Sequence, residues 1–383
     1  MSPTLYLDYN STTPVDATVL EKMLPYFSIQ FGNAASHSHA FGWSAAAAVE
    51  KSRAQVASLL NCEETEVIFT SGATEAVNLS IKGVFEAYKN KGKHIICLTT
   101  EHKAVIDSCK HLEKSGADIT YLSVMSDGLI DPEQLRSVIR ADTILVCVMY
   151  ANNETGVIQP IESISQIVHE KGSLLFSDST QAFGKIRIDV NECGADLMCM
   201  SAHKMYGPKG VGALFVRRKN PRVTLIGQID GGGHERKLRS GTLNVPGIVG
   251  FGAACELAGQ NIWNDATRIS VLRTKLEQAL TDNDGASING NIKSRIPNTS
   301  NICFRDIKAE QLIKFLPDIA IATGSACSSA LPEPSHVLLA MGLNEKEAYA
   351  SIRISLGRST TEQDIRYAAE KIISALEQLK KER

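Results

Sequence analysis

The sequence predicts an α/β protein whose core is a mainly parallel β-sheet covered by helices. Short apolar runs alternate with helical patterns through the first two thirds of the chain, and the runs are apolar nearly throughout. Such strands are typical of a parallel sheet that is buried on both faces. Polar clusters follow five of the runs, at the strand ends where open α/β sheets bind their ligands.

Seven runs are predicted to be strands of this sheet. In chain order they are "EVIFTSG", "HIICLTT", "ITYLSV", "TILVCVMY", "SLLFSDS", "DLMCMSA" and "GALFVRR". The segment "ATEAVNLSIKGVFEAYKN" is predicted to form a helix after the first strand, and a second helix is expected from about Lys103 to Ser115. We therefore expect a seven-stranded sheet flanked by helices.

The last third of the chain has a different pattern. After "RSGTLNVPGIVGFGAACELAGQ" a long helical segment leads to roughly Leu280. It is followed by "NICFRD", "QLIKFL", a loop with a cysteine, "ASIRISLG" and a closing charged helix. This mixture predicts a smaller α+β domain formed by residues 1–13 and 258–383, beside a large domain at residues 14–257.

Composition and charge exclude several classes of protein. The chain has 383 residues, of which 43% are hydrophobic, and 40 basic residues against 42 acidic ones give a net charge of −2. That balance argues against direct binding to nucleic acid or to a membrane surface. The sequence contains neither an apolar run of membrane-spanning length nor a secretory signal at "MSPTLYLDYN". We expect a cytoplasmic protein.

The cysteines and histidines do not predict a metal site. Nine cysteines include no CxxC pair, which argues against a disulfide framework and against a tetrahedral zinc site. Cys97, Cys147 and Cys199 lie in apolar runs and are expected to pack in the core. His37 and His39 lack further ligands nearby, so we predict no bound metal.

Two strand ends suggest groups that bind an anion and a cation. "TSGATE" places Gly72, Ala73 and Thr74 where a strand meets a helix, which favours either a phosphate site or an ordinary cap by Ser71 or Thr74. There is no GxxxxGK[ST] motif, so this is not a nucleotide P-loop. Asp178, at the end of "SLLFSDS", has a carboxylate that needs a partner: a protonated heterocyclic nitrogen, an arginine or a helix N-terminus.

A lysine in an unusual setting completes the pattern. Lys204, in "SAHKMYG", lies among small and apolar residues, as expected for a Schiff-base lysine or for a lysine that extends from a strand end. Ser201 and His203 can donate to a phosphate. A phosphate cradle, the carboxylate of Asp178 and this lysine on successive strands together indicate pyridoxal phosphate (PLP).

The chain resembles the class V, fold-type-I PLP enzymes, and specifically the cysteine desulfurases of the NifS/IscS type. The resemblance runs from "YLDYNSTTPVD" to "SIRISLGRSTTEQDI" and includes "TSGATEAVNLSIKG", "SAHKMYGPKG", "RSGTLNVP" and "TGSACSSALPEPSHVL". It implies the fold of a fold-type-I PLP-dependent transferase. It also implies conversion of L-cysteine to L-alanine, with the sulfur passed to an acceptor protein.

The resemblance assigns roles at the cofactor. Lys204 would hold PLP as a Schiff base and move the Cα proton, Asp178 would pair with the pyridinium nitrogen, and His102 would stack on the ring and assist proton transfer. The other predicted cofactor contacts are Asn153 and Gln181 at the ring, the latter at the phenolic oxygen, and Ala73, Thr74, Ser201 and His203 at the phosphate.

It also assigns roles to residues that bind the substrate and the second subunit. Arg353 would clamp the substrate carboxylate in a bidentate pair, with Asn33 and Asn153 nearby. Thr242, in "RSGT", would reach the phosphate of the neighbouring subunit, which implies a homodimer with shared sites.

Cys327 decides the predicted reaction. By composition its loop, "IATGSACSSALPEPSHVL", fits an idle exposed thiol as well as a mobile nucleophile. In the resembled family this cysteine attacks the substrate sulfur and carries it as a persulfide. At an ordinary thiol pKa of ~8.5 only about 3% is ionised at pH 7, so a base such as His102 must help.

Several alternatives remain at the level of sequence. A selenocysteine lyase and an aminotransferase share this fold, and a sulfur-relay adaptor with a vestigial cofactor site is the alternative outside enzymes. Cys327 favours sulfur transfer, because transamination needs no thiol. The chain ends at "EQLKKER", without the longer scaffold-binding tail of housekeeping IscS proteins. The expected acceptor is an Fe–S scaffold or, as the missing tail favours, a protein of tRNA thiolation or DNA phosphorothioation.

Overall fold

A computed structural model describes residues 4–282, 285–323 and 333–381 of the chain. The strands of these ranges are β1 (Leu5–Tyr6), β2 (Val67–Thr70), β3 (His94–Leu98), β4 (Asp118–Leu122), β5 (Thr143–Cys147), β6 (Leu174–Asp178), β7 (Leu197–Ser201), β8 (Gly212–Val216), β9 (Ala286–Ile288), β10 (Thr299–Phe304), β11 (Ile319–Ala320), β12 (Ala322–Thr323) and β13 (Ser351–Ser355). The α-helices are α1 (Ala17–Met23), α2 (Pro25–Ser28), α3 (Ala40–Leu60), α4 (Ala73–Tyr88), α5 (Lys103–Glu113), α6 (Pro132–Val138), α7 (Ile161–Glu170), α8 (Val190–Cys193), α9 (Val245–Thr281), α10 (Ala309–Lys314), α11 (His336–Ala340), α12 (Glu345–Tyr349) and α13 (Glu362–Lys381). Short 3₁₀ helices lie at Glu64–Glu66, Ala202–Lys204 and Glu235–Lys237.

The predicted seven-stranded sheet is confirmed. Its strand order is β2-β8-β7-β6-β5-β3-β4, and the pairs among β3 to β7 are parallel. Strand β8 is antiparallel to both of its neighbours, β2 and β7. Only residues 202–211 connect β7 to β8, which is too short for the crossover that a parallel pair needs.

Each central strand contributes to two hydrophobic cores, one on each face of the sheet. Phe69 and Val146 belong to one core, whereas their chain neighbours Ile68 and Leu145 belong to the other. Helices α3, α7 and α9 pack on the first face, and α4 and α5 pack on the second. Burial on both faces explains why these strands are apolar throughout rather than alternating.

A second, four-stranded antiparallel sheet follows in the last third of the chain. Its order is β12-β13-β10-β9, and helix α13 packs on it together with the C-terminal half of α9. Strands β1 and β11 form a separate parallel pair. This mixture of helices and antiparallel strands agrees with the expected α+β pattern, while the domain limits themselves stay a prediction.

The long helix α9 joins the two sheets. It begins at Val245, earlier than expected, because Pro246 lies in its first turn and the Asn244 side chain accepts a hydrogen bond from the Gly247 N–H. Phe251 packs in a core of the large sheet, and Leu276 packs in the core of the second sheet. Across the described ranges, every helix is too short or too polar to cross a bilayer.

Candidate active site

A cavity of about 580 Å³ lies at the carboxyl ends of the parallel strands. Most of the predicted site residues line it: Ala73, Thr74, His102, Asn153, Asp178, Gln181, Ser201, His203, Lys204 and Arg353. Strands β2, β3, β5, β6 and β7 each deliver one or more of these side chains from the residues at or just after the strand end. The parallel arrangement brings these ends to one edge of the sheet, as the sequence predicted.

The N-terminus of helix α4 is open to the cavity. Its N-cap is Gly72, with φ of +152°, and no side chain caps the helix. The alternative of a cap by Ser71 or Thr74 is therefore wrong, and the N–H groups of Ala73 and Thr74 are available to an anion. Glycine suits this position because L-residues rarely adopt its φ value, and strand β8 passes directly behind it.

Lys204 is held at the cavity by the N-terminal segment of the chain. It follows β7 in a 3₁₀ turn, and its Nζ donates to the carbonyl oxygens of Asn10 at 2.7 Å and Ser11 at 2.6 Å. The amine thus lies inside the site rather than extending from the strand end into solvent. Two carbonyl acceptors hold it where a bound aldehyde could react with it.

Positive charge gathers at the phosphate end of the cavity. The Nδ1 of His203 lies 3.1 Å from the hydroxyl of Thr12. Burial lowers the pKa of His203 to about 4, and the charges of Lys204 and Lys209 lower it further. His203 is consequently neutral at pH 7, and the lysines around it favour a dianion such as a phosphate.

Asp178 fits a cationic partner that the described residues do not supply. The residue is 5% exposed, and its Oδ1 accepts a hydrogen bond from the Thr180 N–H at 2.9 Å. Of the partners considered from the sequence, an arginine is not found, since no salt bridge of the described residues involves Asp178. A buried carboxylate that faces a cavity fits the protonated nitrogen of a pyridine ring.

Arg353 points its guanidinium into the same cavity from β13. Its NH2 donates to Asp8 at 2.7 Å and to Ser11 at 2.8 Å, and its NH1 donates to the Asn153 carbonyl at 3.0 Å. Its Nε is buried and has no hydrogen-bond partner within the described ranges. The side chain is therefore fixed in place and retains donor capacity for a carboxylate.

His102 has a defined tautomer. It is the N-cap of α5, and its Nδ1 accepts a hydrogen bond from the Ala104 N–H at 3.1 Å. An accepting nitrogen carries no proton, so the neutral ring is protonated at Nε2 and can donate a proton there. In this tautomer Nε2 carries a proton and has no lone pair to accept another, so the role of His102 as a base towards Cys327 stays a prediction.

Two of the predicted residues that the structure describes do not line the cavity. Asn33 and Thr242 are exposed, and their neighbours Ala34 and Leu243 line a different cavity of about 240 Å³. For Thr242 this is compatible with the expected role in the partner's site. Cys327 lies outside the residues that the structure describes.

No group of three or more potential ligands in the described part of the chain could hold a metal ion. The imidazole of His39 instead caps helix α3, where its Nδ1 accepts from the Gly42 N–H at 3.2 Å. The carbonyl of His37 accepts from the indole of Trp43. Both histidines therefore have local structural contacts.

The sequence reasoning missed two residues at the site, Asn10 and Lys185. Asn10 is 1% exposed, and its carbonyl accepts from both Lys204 and Gln181. The Nζ of Lys185 lies 2.6 Å from Gln181 Oε1. The sequence signal available for Lys185 was its position four residues after Gln181. Asn10 had no such signal, because its contacts depend on distant parts of the chain.

Comparisons with known proteins agree with this geometry. The family model described as Aminotransferase class-V matches residues 5–367. The cysteine desulfurase IscS of Anaeromyxobacter sp. (strain Fw109-5) is 51% identical over 377 residues, which cover 98% of this chain and 93% of that protein. A solved NifS-like protein gives a TM-score of 0.91 at 38% identity, covering 98% of this chain and 99% of the other. The structure titled "SspA in complex with cysteine" gives 0.82 at 36% identity, covering 92% and 99%.

The chain therefore belongs to the class-V aminotransferase family. Within that family it is similar to cysteine desulfurases of the NifS/IscS type, over nearly its whole length. The family and the fold predicted from the sequence motifs are both confirmed.

Proposed function

We propose that this protein is a PLP-dependent cysteine desulfurase that converts L-cysteine to L-alanine and carries the sulfur on Cys327 as a persulfide. One observation carries the proposal: a single cavity joins the amine of Lys204, the buried carboxylate of Asp178 and an uncapped helix N-terminus. These are the groups that an aldehyde, a pyridinium nitrogen and a phosphate require.

Different residues of the cavity would bind different parts of the cofactor. The N–H groups of Ala73 and Thr74, with Ser201 and His203, would hold the phosphate, and Asp178 would accept the N–H of the ring. Bound PLP supplies an electron-withdrawing ring, which weakens the Cα–H and Cβ–S bonds of an amino acid attached to it.

Arg353 would bind the substrate. Its guanidinium would receive the cysteine carboxylate, and the contacts to Asp8 and Ser11 hold it in the required orientation. Lys204 would take the proton from Cα once its amine is free. The Nε2–H of His102 is the further proton source that the cavity offers.

Sulfur transfer requires the thiolate of Cys327. Its Sγ would attack the substrate sulfur, so that an S–S bond forms while the Cβ–S bond breaks. The electron pair that remains on the substrate would be protonated at Cβ to give alanine. The persulfide would then pass its outer sulfur to an Fe–S scaffold, or to a protein of tRNA thiolation or DNA phosphorothioation, in the cytoplasm.

We further propose a homodimer. Large apolar side chains near the N-terminus are exposed, among them Phe27 at 61%, Ile29 at 70% and Phe31 at 63%. Phe31 stacks on Phe41 with ring centroids 5.2 Å apart, so the exposed surface is shared between two segments. A patch of this kind is typical of a protein interface. Thr242 would then contribute to the partner's phosphate site.

Borohydride reduction tests the proposal. We expect the purified protein to be yellow and to carry reduced PLP on Lys204 in peptide mass spectra, whereas Lys204→Ala carries none. Cys327→Ser should keep the colour and the adduct but lose the formation of sulfide and alanine from L-cysteine under a reductant.

Cys62→Ser is the matched control. Burial, followed by the nearby Glu66 and Glu63, raises the pKa of Cys62 to about 12, so this thiol is not a nucleophile at neutral pH and its loss should leave turnover unchanged. Undiminished turnover in Cys327→Ser would exclude the persulfide route. A colourless protein that carries sulfur would instead be an adaptor.

A further inference from the structure

A second lysine amine lies behind the wall of the active-site cavity. The Nζ of Lys185 donates to Gln181 Oε1 at 2.6 Å and to Asn10 Oδ1 at 3.4 Å. Lys185 does not itself line the active-site cavity; it borders a small cavity of about 30 Å³ together with Tyr206 and Arg358. Its contact with the site therefore runs through Gln181 and Asn10.

The surroundings of Lys185 disfavour a positive charge on its amine. Burial lowers its pKa well below the usual value, and the charges of Lys204 and Arg353 lower it further. A neutral amine carries two hydrogens, and the two acceptors Gln181 Oε1 and Asn10 Oδ1 match them. No carboxylate forms a salt bridge with Lys185 within the described ranges, which agrees with an uncharged group.

These contacts fix which way the Gln181 amide faces. Its Oε1 accepts from Lys185, and its Nε2 donates to the Asn10 carbonyl at 2.9 Å. Rotation of the amide by half a turn would set its NH2 group against the Lys185 hydrogens and its oxygen against the Asn10 carbonyl. Nε2 has a second hydrogen, and the Asn10 carbonyl is its sole acceptor among the described residues.

We propose that Lys185 is a positioning residue for the reaction, which holds the Gln181 amide with an N–H donor turned towards the cavity. The proposal rests on the proposed function, because PLP is the ligand whose ring oxygen would accept this hydrogen bond. Asn10 completes the arrangement: its side-chain oxygen also accepts from Asn298 Nδ2 at 3.0 Å, so it cannot turn away freely.

The test is a double-mutant cycle on PLP binding. Lys185→Met keeps the length of the side chain and removes its donor. We expect the PLP dissociation constant to rise roughly three- to tenfold, the usual range for the loss of one hydrogen bond, and the visible absorption band to shift. In a Gln181→Ala background the same change should have no further effect on either measurement.

Controls separate positioning from folding. Lys293→Met, at an exposed lysine, should leave PLP affinity and spectrum unchanged. The thermal unfolding of cofactor-free Lys185→Met shows whether that variant folds. If it does not, Gln181→Glu replaces it: its carboxylate still accepts from Lys185 but offers no N–H, so it should weaken PLP binding as Gln181→Ala does.

Two results would overturn the proposal. One is an unchanged dissociation constant and spectrum in folded Lys185→Met, or in Gln181→Glu. The other is an effect of Lys185→Met that is equally large without Gln181. If the wild-type protein fails to bind PLP at Lys204, the proposed function fails, and the role of Lys185 fails with it.

Discussion

Glu154, next to the site residue Asn153, is a buried residue whose charge state depends on its surroundings. It follows Asn153, is 4% exposed, and its Oε2 accepts a hydrogen bond from the hydroxyl of Ser335, the N-cap of helix α11. Burial raises the pKa of Glu154 to about 7, although the Ser335 hydrogen bond and the charges of Arg353 and Lys103 lower it. The carboxyl therefore changes charge near neutral pH.

This residue should make stability depend on pH. In the unfolded chain a glutamate titrates at about 4.3, so between that value and 7 the folded state binds more protons than the unfolded state. The free energy of unfolding should therefore fall as pH rises through this window, by at most about 1.4 kcal/mol per pH unit from this one group. Glu154→Gln should flatten that fall in urea unfolding between pH 5.5 and 7.5.

Glu133→Gln is a suitable control for this prediction, because the side chain of Glu133 is 83% exposed. It should keep the pH dependence of the wild-type protein. If Glu154→Gln and the wild type lose stability in parallel as pH rises from 5.5 to 7.5, Glu154 is not the group that causes this pH dependence.

At the scale of an element, the charge state of His94 on strand β3 also depends on its surroundings. His94 is fully buried, with its Nδ1 2.6 Å from the hydroxyl of Thr143 on β5 and its Nε2 2.8 Å from the hydroxyl of Thr120 on β4. Burial lowers its pKa, and the charge of Arg140 lowers it further, despite the nearby carboxylates. A neutral imidazole thus links three neighbouring strands.

Protonation of His94 should destabilise this part of the sheet. The imidazole of an unfolded chain titrates at about 6.5, so below that pH the unfolded state binds more protons. The contribution of His94 to the free energy of unfolding should then fall as pH decreases from 7 to 5, opposite in sign to that of Glu154, by at most about 1.4 kcal/mol per pH unit. His94→Gln should show a smaller decrease in urea unfolding.

The exposed His111 provides the comparison on the next helix, α5. His111→Gln should lose stability with acid as the wild type does. An equal acid response in His94→Gln and the wild type would count against the role given to β3.

At the scale of the whole molecule, shared active sites predict complementation. Lys204→Ala and Thr242→Ala homodimers should each be impaired. In a mixed dimer, one site combines the intact Lys204 of one chain with the intact Thr242 of the other. After random re-pairing of equal amounts we expect about a quarter of wild-type turnover, because one site in four is then intact.

The exposed apolar patch provides the control for this experiment. Ile29→Glu in both chains should abolish the recovery, since it places a charge in the proposed interface. Ile292→Glu, at another exposed isoleucine, should preserve it. If mixing the two variants restores nothing while both remain dimeric, Thr242 does not act in the partner's site.

Much of the fold and several site residues could be predicted from local sequence features. Continuous apolar runs identify strands that are buried on both faces, and the parallel arrangement then places Asp178, Ser201 and Lys204 at one edge of the sheet. Gly72 lies between strand β2 and helix α4 and leaves the helix uncapped, which agrees with the phosphate site, one of the two alternatives that "TSGATE" allowed. These features follow from burial and from backbone conformation within a few residues, so the sequence by itself determines them.

Only the tertiary structure decided which distant groups meet. Asn10 contacts Asn298 and Lys204, and Arg353 pairs with Asp8, although long stretches of chain separate these partners. The lowered pKa of Lys185 likewise depends on burial beside two cations from other elements. Hydrogen-bond partners and charge states depend on the three-dimensional surroundings of a group, and no local pattern of residue types contains that information.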